Sequence, residues 1–289
     1  MAQKISLMII GAPKSGTTSL LRYLEQHPAI CTHPEIEINA FINVEEYAEG
    51  EHRIISRYFK CNTLNQVLVG KSAGLMYNNE ALGRLRSHNP TMQLVVLLRN
   101  PIERAYSAYL WARRRGWEES DSFSEAIMVS PGRYADDWLR DGSTQYLEYG
   151  RYATYLEIVE ELFPSSNIHI WTLEQLKNDP LQILRILTNS LNLADFPFDV
   201  TGKKVNSAAK PRSVNLARFI SGNSLFKRGM KVLLPWRLRQ SLRRSVWVIN
   251  DRPYTPPSID PDLRRTLQDY YSEENKKLSS RYKIPITWN

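Results

Sequence analysis

Two places in the sequence carry residue types suited to holding phosphate. The first is Gly11-Ala-Pro-Lys-Ser-Gly16-Thr17-Thr18. Lys14 brings a positive charge, Ser15, Thr17 and Thr18 bring hydroxyls, and Gly16 lets the backbone come close to a bound oxyanion. The frame has the length of the nucleotide-triphosphatase loop G-x-x-x-x-G-K-[ST], but Thr17 stands where that loop has its lysine, and the lysine lies inside the loop at position 14. The second place is Arg99-Asn-Pro-Ile-Glu-Arg-Ala-Tyr-Ser107. Triphosphatases use an Asp after another strand to help hold magnesium. Here the corresponding strand runs into Arg99, a cation that repels a metal and attracts a phosphate. The combination suits a nucleotide bound without a metal ion. Taken alone, a glycine turn is common in α/β folds, and Arg99 and Ser107 fit a helix cap and a surface hydroxyl equally well. The density of Lys, Ser and Thr at one helix start favours phosphate.

Elements must position these groups. The apolar run Ile5 to Ile10 reads as a buried strand, and Thr17 to Gln26, with apolar residues at 20, 21 and 24, as a helix. The loop thus lies between a strand and a helix N-terminus, which offers unpaired N–H groups and a positive dipole end. Gln93 to Leu98 reads as a central parallel strand. Pro101 suits the first turn of a helix that continues from Ile102 to Arg113. Val67 to Gly70 and Asn167 to Trp171 are further strands, and Tyr152 to Leu162, Leu173 to Lys177, Pro180 to Leu191 and Asp260 to Tyr282 further helices. Strands alternating with helices predict an α/β fold, a single domain with a central, mostly parallel sheet flanked by helices and a P-loop-like nucleotide-binding core. Ligands collect at the carboxyl ends of such strands, where both phosphate motifs lie.

The two motifs together resemble the PAPS-dependent sulfotransferases, PAPS being 3′-phosphoadenosine 5′-phosphosulfate. Pro13-Lys-Ser-Gly-Thr-Thr-Ser-Leu20 looks like that family's 5′-phosphosulfate loop, and Arg99-Asn-Pro…Arg104-Ala-Tyr-Ser107 like its 3′-phosphate site. The likeness continues through Gly150-Arg-Tyr152, Phe163-Pro164 and Ile168-His-Ile-Trp-Thr-Leu-Glu174 to Asp179-Pro180, so it covers residues 5 to about 195. The pattern is closer to the glycan and bacterial branch than to the cytosolic phenol and steroid branch. The resemblance implies that Lys14, Ser15, Gly16, Thr17 and Thr18 bind the 5′-phosphosulfate, and that Arg99 and Ser107 bind the 3′-phosphate. It implies PAPS as co-substrate, PAP (the desulfated nucleotide) as product, and no metal.

The resemblance also points to a base. The glycan branch carries a Lys-Glu-x-His-Phe-Phe-like motif just after the first helix, with its glutamate as base. Glu37-Ile-Asn39-Ala-Phe41 fits best, with Ile36, Asn39 and Ala40 as departures. Glu35, two residues away and expected to share a strand face with Glu37, ranks second, and His33 third, because the cytosolic branch uses a histidine. Such a base removes the acceptor's proton while Lys14 neutralises the leaving phosphate. Glutamates are usually solvated, and that bland alternative applies to both. Gly70-Lys71-Ser72 occupies the place of a segment that lines the family's acceptor site, so Lys71, with His33, is a candidate substrate contact. Asn206-Ser-Ala-Ala-Lys210-Pro-Arg212 resembles a segment that closes over the nucleotide, which brings in Lys210 and Arg212.

Residues 201 to 256 are basic and rich in Ser, Asn and Pro, and 226 to 247 interleave cations with aromatic and aliphatic residues, a candidate lid or acceptor wall. The expected layout is a PAPS-binding core over about 5–195, this basic region over about 201–256, and a C-terminal helix over about 260–282. The net charge of +8 suits an acidic partner without choosing one. The acceptor is expected to be a small natural product or a carbohydrate, through a hydroxyl or an amine, and not nucleic acid. Two cysteines, Cys31 and Cys61, are too few for a secreted disulfide scaffold and are read as free thiols. No apolar run is long enough to span a membrane, and a cytoplasmic location is expected. The competing readings are a P-loop kinase, which needs a metal-holding Asp where Arg99 stands, and a non-catalytic nucleotide-binding protein, which leaves Lys14, Glu37, Arg99 and Ser107 together unexplained.

Overall fold

A computed structural model describes residues 3–35, 37–61, 63, 65–129, 144–201, 209–221, 246, 249–286 and 288. In chain order the elements are β1 (Ile5–Gly11), α1 (Thr17–Leu24), β2 (Ile30–Cys31), α2 (Val44–Ala48), α3 (Glu51–Tyr58), β3 (Val67–Lys71), α4 (Asn79–His88), β4 (Gln93–Leu98), α5 (Pro101–Arg115) and α6 (Phe123–Val129). They continue with α7 (Tyr152–Leu162), β5 (Ile168–Thr172), α8 (Leu173–Asn178), α9 (Pro180–Ser190), β6 (Ala209–Pro211), α10 (Val214–Ser221), β7 (Asp251–Pro253) and α11 (Pro261–Tyr282). None of the described helices is long and apolar enough to cross a membrane. The chain divides into two compact units: one from Met1–Arg104, Tyr149–Val205 and Gln268–Asn289, the other from Ala105–Glu148 and Asn206–Leu267.

The first unit holds a five-stranded sheet in the order β2-β3-β1-β4-β5. Every neighbouring pair in it is parallel, so the α/β fold with a parallel sheet expected from the sequence is the one present. Alternate side chains of each strand point to opposite faces. Leu7, Ile9, Val95 and Leu97 meet Leu20, Leu21 and Leu24 of α1 and Leu184 and Leu187 of α9. Met8, Ile10, Leu94, Val96 and Leu98 meet Leu82 and Leu85 of α4, Leu156 and Val159 of α7, and Leu278 of α11. Burying both faces requires nearly continuous apolar strands, which is why β1 and β4 are so legible as sequence.

Where the ladder runs out, neutral histidines close it. At the start of β1, Ile5 N–H donates to His88 Nε2 at 3.0 Å, while His88 Nδ1 lies 3.0 Å from Glu51 Oε1. Burial lowers the His88 pKa and so keeps the ring an acceptor.

The cysteines are not free thiols. Cys31 and Cys61 form a disulfide, with their Cα atoms 5.4 Å apart. The pairing of β2 with β3 brings Cys31 beside the chain leading into β3, a proximity that a separation of 30 residues conceals. The disulfide ties the end of β2, just before the segment carrying Glu35 and Glu37, to the loop after α3.

In the second unit, β6 and β7 pair antiparallel. Arg114 on α5 forms an ion pair with Asp251 of β7. Glu118 is buried: Oε1 accepts the N–H groups of Glu119 and Ser120, and Oε2 accepts the Tyr146 hydroxyl at 2.9 Å.

Candidate active site

The chain reverses direction across the sheet at β1: it crosses from β1 to the edge strand β2, returns with β3 to lie beside β1, and then places β4 and β5 on the other side. Such a reversal opens a crevice at the carboxyl ends of the strands. The loop after β1 folds back sharply there, with Lys14 at φ 71° and Gly16 at φ 91°, both in the left-handed region. At Gly16 a Cβ would also stand 2.8 Å from Leu173 Cδ1, so a larger residue would displace the Leu173 side chain at the start of α8 besides straining the backbone. Gly16 caps α1 without a side-chain bond. The first-turn amides have no acceptor within the helix, and the dipole adds positive potential. Ser15 is fully buried, and its Oγ interacts with the Tyr152 hydroxyl, which itself donates to the Arg99 carbonyl. A buried hydroxyl beside a helix N-terminus and a lysine fits an oxyanion.

Arg99 follows β4 directly. Its Nη1 donates to the Lys14 carbonyl at 3.2 Å, and its own carbonyl accepts the buried Tyr152 hydroxyl at 2.9 Å. Burial lowers the Arg99 pKa, partly offset by Glu103 and then by Tyr152 and Glu174. Guanidinium remains charged throughout. The structure thus joins the two phosphate motifs in space, at Lys14 and Arg99.

Across β1 from Arg99 lies the end of β3. Glu37 Oε1 sits 2.5 Å from Lys71 Nζ, and Glu37 Oε2 accepts the Ala73 N–H at 2.8 Å. The Lys71 side chain is 1% exposed and that of Glu37 26%, so the carboxylate is the member of the pair that solvent reaches. His33 is fully buried; its Nε2 accepts the Lys71 N–H at 3.0 Å. Desolvation, then the Lys71 charge, pushes its pKa down to about 3. Glu35 is half-buried in the same loop. The expectation that Glu35 and Glu37 share a strand face is overturned: the strand ends at Cys31 and residues 32–35 and 37–39 form no strand.

The remaining candidates lie in the second unit. Ser107 is half-buried on α5, eight residues after Arg99 in sequence. Lys210 pairs through its backbone with Arg252, and its side chain is outside the described residues. Arg212 is exposed, with its N–H 2.6 Å from Asn250 O. The basic segment 226–247 lies, apart from Val246, outside the described residues. The Glu37–Lys71 pair went unread in the sequence, which offered Lys71 as an aid to catalysis or an acceptor contact without a partner; the signal was the strand Val67–Lys71 ending beside a loop with two glutamates.

The family described as "Sulfotransferase domain" matches residues 4–194. The chain belongs to the sulfotransferase family. Among similar proteins, this sulfotransferase chain is 26% identical over 281 residues to the human bifunctional heparan sulfate N-deacetylase/N-sulfotransferase 3, covering 94% of this chain and 29% of that protein. It is 28% identical over 193 residues to the mouse heparan sulfate glucosamine 3-O-sulfotransferase 5, covering 64% of this chain and 53% of the relative. It therefore spans from under a third to about half of the length of these curated relatives. A solved sulfotransferase from Alicyclobacillus acidocaldarius shares the fold, at 19% identity and a TM-score of 0.67, over 99% of this chain and 98% of that one.

Proposed function

We propose that this sulfotransferase moves a sulfuryl group from PAPS to a hydroxyl or amine of a carbohydrate, with Glu37 as the base. The observation that carries the reading is the placement of Glu37, held by buried Lys71, on the same sheet edge as the Ser15 hydroxyl and the Lys14–Arg99 contact. When bound, PAPS supplies an activated sulfuryl group and a nucleotide phosphate that leaves. Ser15, Thr17, Thr18 and the first amides of α1 hold its 5′ end. Arg99 holds the 3′-phosphate, the group that separates this nucleotide from ATP. Lys14 offsets the charge that grows on the leaving oxygen. Glu37 receives the acceptor's proton at the carboxylate, which Lys71 and the Ala73 amide orient. A carbohydrate acceptor is supported by the heparan sulfate relatives. A kinase is disfavoured because Arg99 stands where a metal-holding acid is needed.

The test is a calorimetric titration with PAP beside ADP and with ATP plus magnesium, followed by transfer from labelled PAPS to a glucosamine-containing polysaccharide and to a simple phenol. Metal-free preference for PAP and labelling of the polysaccharide are expected. ATP binding only with magnesium would overturn the donor assignment, and labelling of the phenol alone would overturn the acceptor class.

A further inference from the structure

Lys71 ends β3, and its outer neighbour β2 is only two residues long, Ile30–Cys31. The last rung between them is Cys31 with Leu68. Beyond it, among the described residues, no strand receives the backbone of Lys71 on that side. Two groups from the following loop take the strand's place. Ile38 N–H donates to Lys71 O at 2.8 Å, and His33 Nε2 accepts Lys71 N–H at 3.0 Å. The imidazole is fully buried and lies edge-on to Phe59, with ring centroids 6.1 Å apart. An accepting Nε2 carries no proton, so the ring's one proton is on Nδ1. At the other end of the same residue, Lys71 Nζ grips Glu37. The chain of contacts runs from the ring to the backbone, from that backbone to an ammonium, and from the ammonium to the carboxylate.

We infer that His33 is a positioning residue for Glu37: it replaces a missing strand carbonyl at the end of β3 and so fixes the lysine that orients the base. The inference rests on the proposed role of Glu37. It differs from a histidine base, because it requires an acceptor atom at the Nε2 position and no proton transfer by the ring. Burial, which keeps the ring neutral, serves this role and works against that of a base.

Three variants separate the two roles. His33→Gln puts an acceptor oxygen near the Nε2 position, His33→Asn puts it near Nδ1, and His33→Phe removes it at similar volume. Three quantities are measured for each: Lys71 amide exchange by NMR, PAP affinity by calorimetry, and kcat and KM for sulfuryl transfer. In His33→Gln, a protected Lys71 amide and near wild-type kcat are expected. In His33→Phe and His33→Asn, protection is lost and kcat falls by about 10–10²-fold through a displaced base, with PAP affinity unchanged. If His33→Phe does not fold, the Gln and Asn variants carry the comparison. His33→Gln that protects the amide yet is inactive would overturn the inference in favour of proton transfer by His33. Full kcat in both His33→Asn and His33→Phe would overturn it outright. A wild-type chain that neither binds PAP nor transfers sulfuryl sinks the proposed function, and this inference with it; an active wild type whose Lys71 amide exchanges freely sinks only the inference.

Discussion

Glu37 and Arg99 divide the proposed chemistry between two side chains, and each can be removed separately. Glu37→Gln keeps an oxygen for Lys71 and loses the proton acceptor. Turnover is expected to fall by about 10²–10⁴-fold with PAP affinity unchanged, measured by single-turnover transfer and calorimetry. Arg99→Ala is expected to abolish the preference for PAP over ADP, read in paired titrations. His33 also marks the stability curve. Its folded pKa of about 3 lies below the unfolded value of 6.5, so between them the unfolded chain holds one more proton. Stability from this group is therefore fully present above pH 6.5 and is lost progressively as pH drops toward 3. Denaturant midpoints from pH 7 to 4 check this, with a shallower decline expected in His33→Gln. At this scale the turn that carries Lys14, Ser15 and Gly16 was legible as a strand-to-helix connection because glycine, proline and short polar residues crowd it between two apolar runs. The Glu37–Lys71 pair joins residues 34 positions apart, and no periodicity encodes that.

Element boundaries were legible where one physical rule dominated. β4 is apolar at every position after Gln93, and α7 ends before Pro164. The segment after β2 misled, because Glu35 and Glu37 alternate like a strand while β2 ends at Cys31 and the His33 ring, not a strand carbonyl, receives the Lys71 N–H. The turn into α1 depends on Gly16. Gly16→Ala places a Cβ at φ 91° and against Leu173, so a stability loss of at least about 1–2 kcal/mol is expected together with weakened PAP binding. Thermal melts and titrations check both. If Gly16→Ala binds PAP as the wild type does, the backbone approach at this turn is unimportant.

Across the whole molecule, the α/β fold with its parallel sheet followed from alternating patterns, whereas the disulfide was invisible to composition. Its closure of a 30-residue separation restricts the unfolded chain, a contribution of about 3–4 kcal/mol. Reduction is therefore expected to lower the melting temperature, and, because the bond anchors the approach to Glu37, to lower turnover more than PAP affinity. Melts and transfer assays with and without a reductant test this. The strand order carries a different consequence. β1 sits in the middle of the sheet, yet its partners β3 and β4 begin at Val67 and Gln93. During synthesis the apolar run Ile5–Gly11 precedes both of its neighbours by dozens of residues. Parallel pairing needs such distant closures, and they are slow. Until β4 is made, this stretch is the segment most open to mispairing with other chains, so the strand most deeply enclosed in the native sheet is also the one that a chaperone would have to shelter longest.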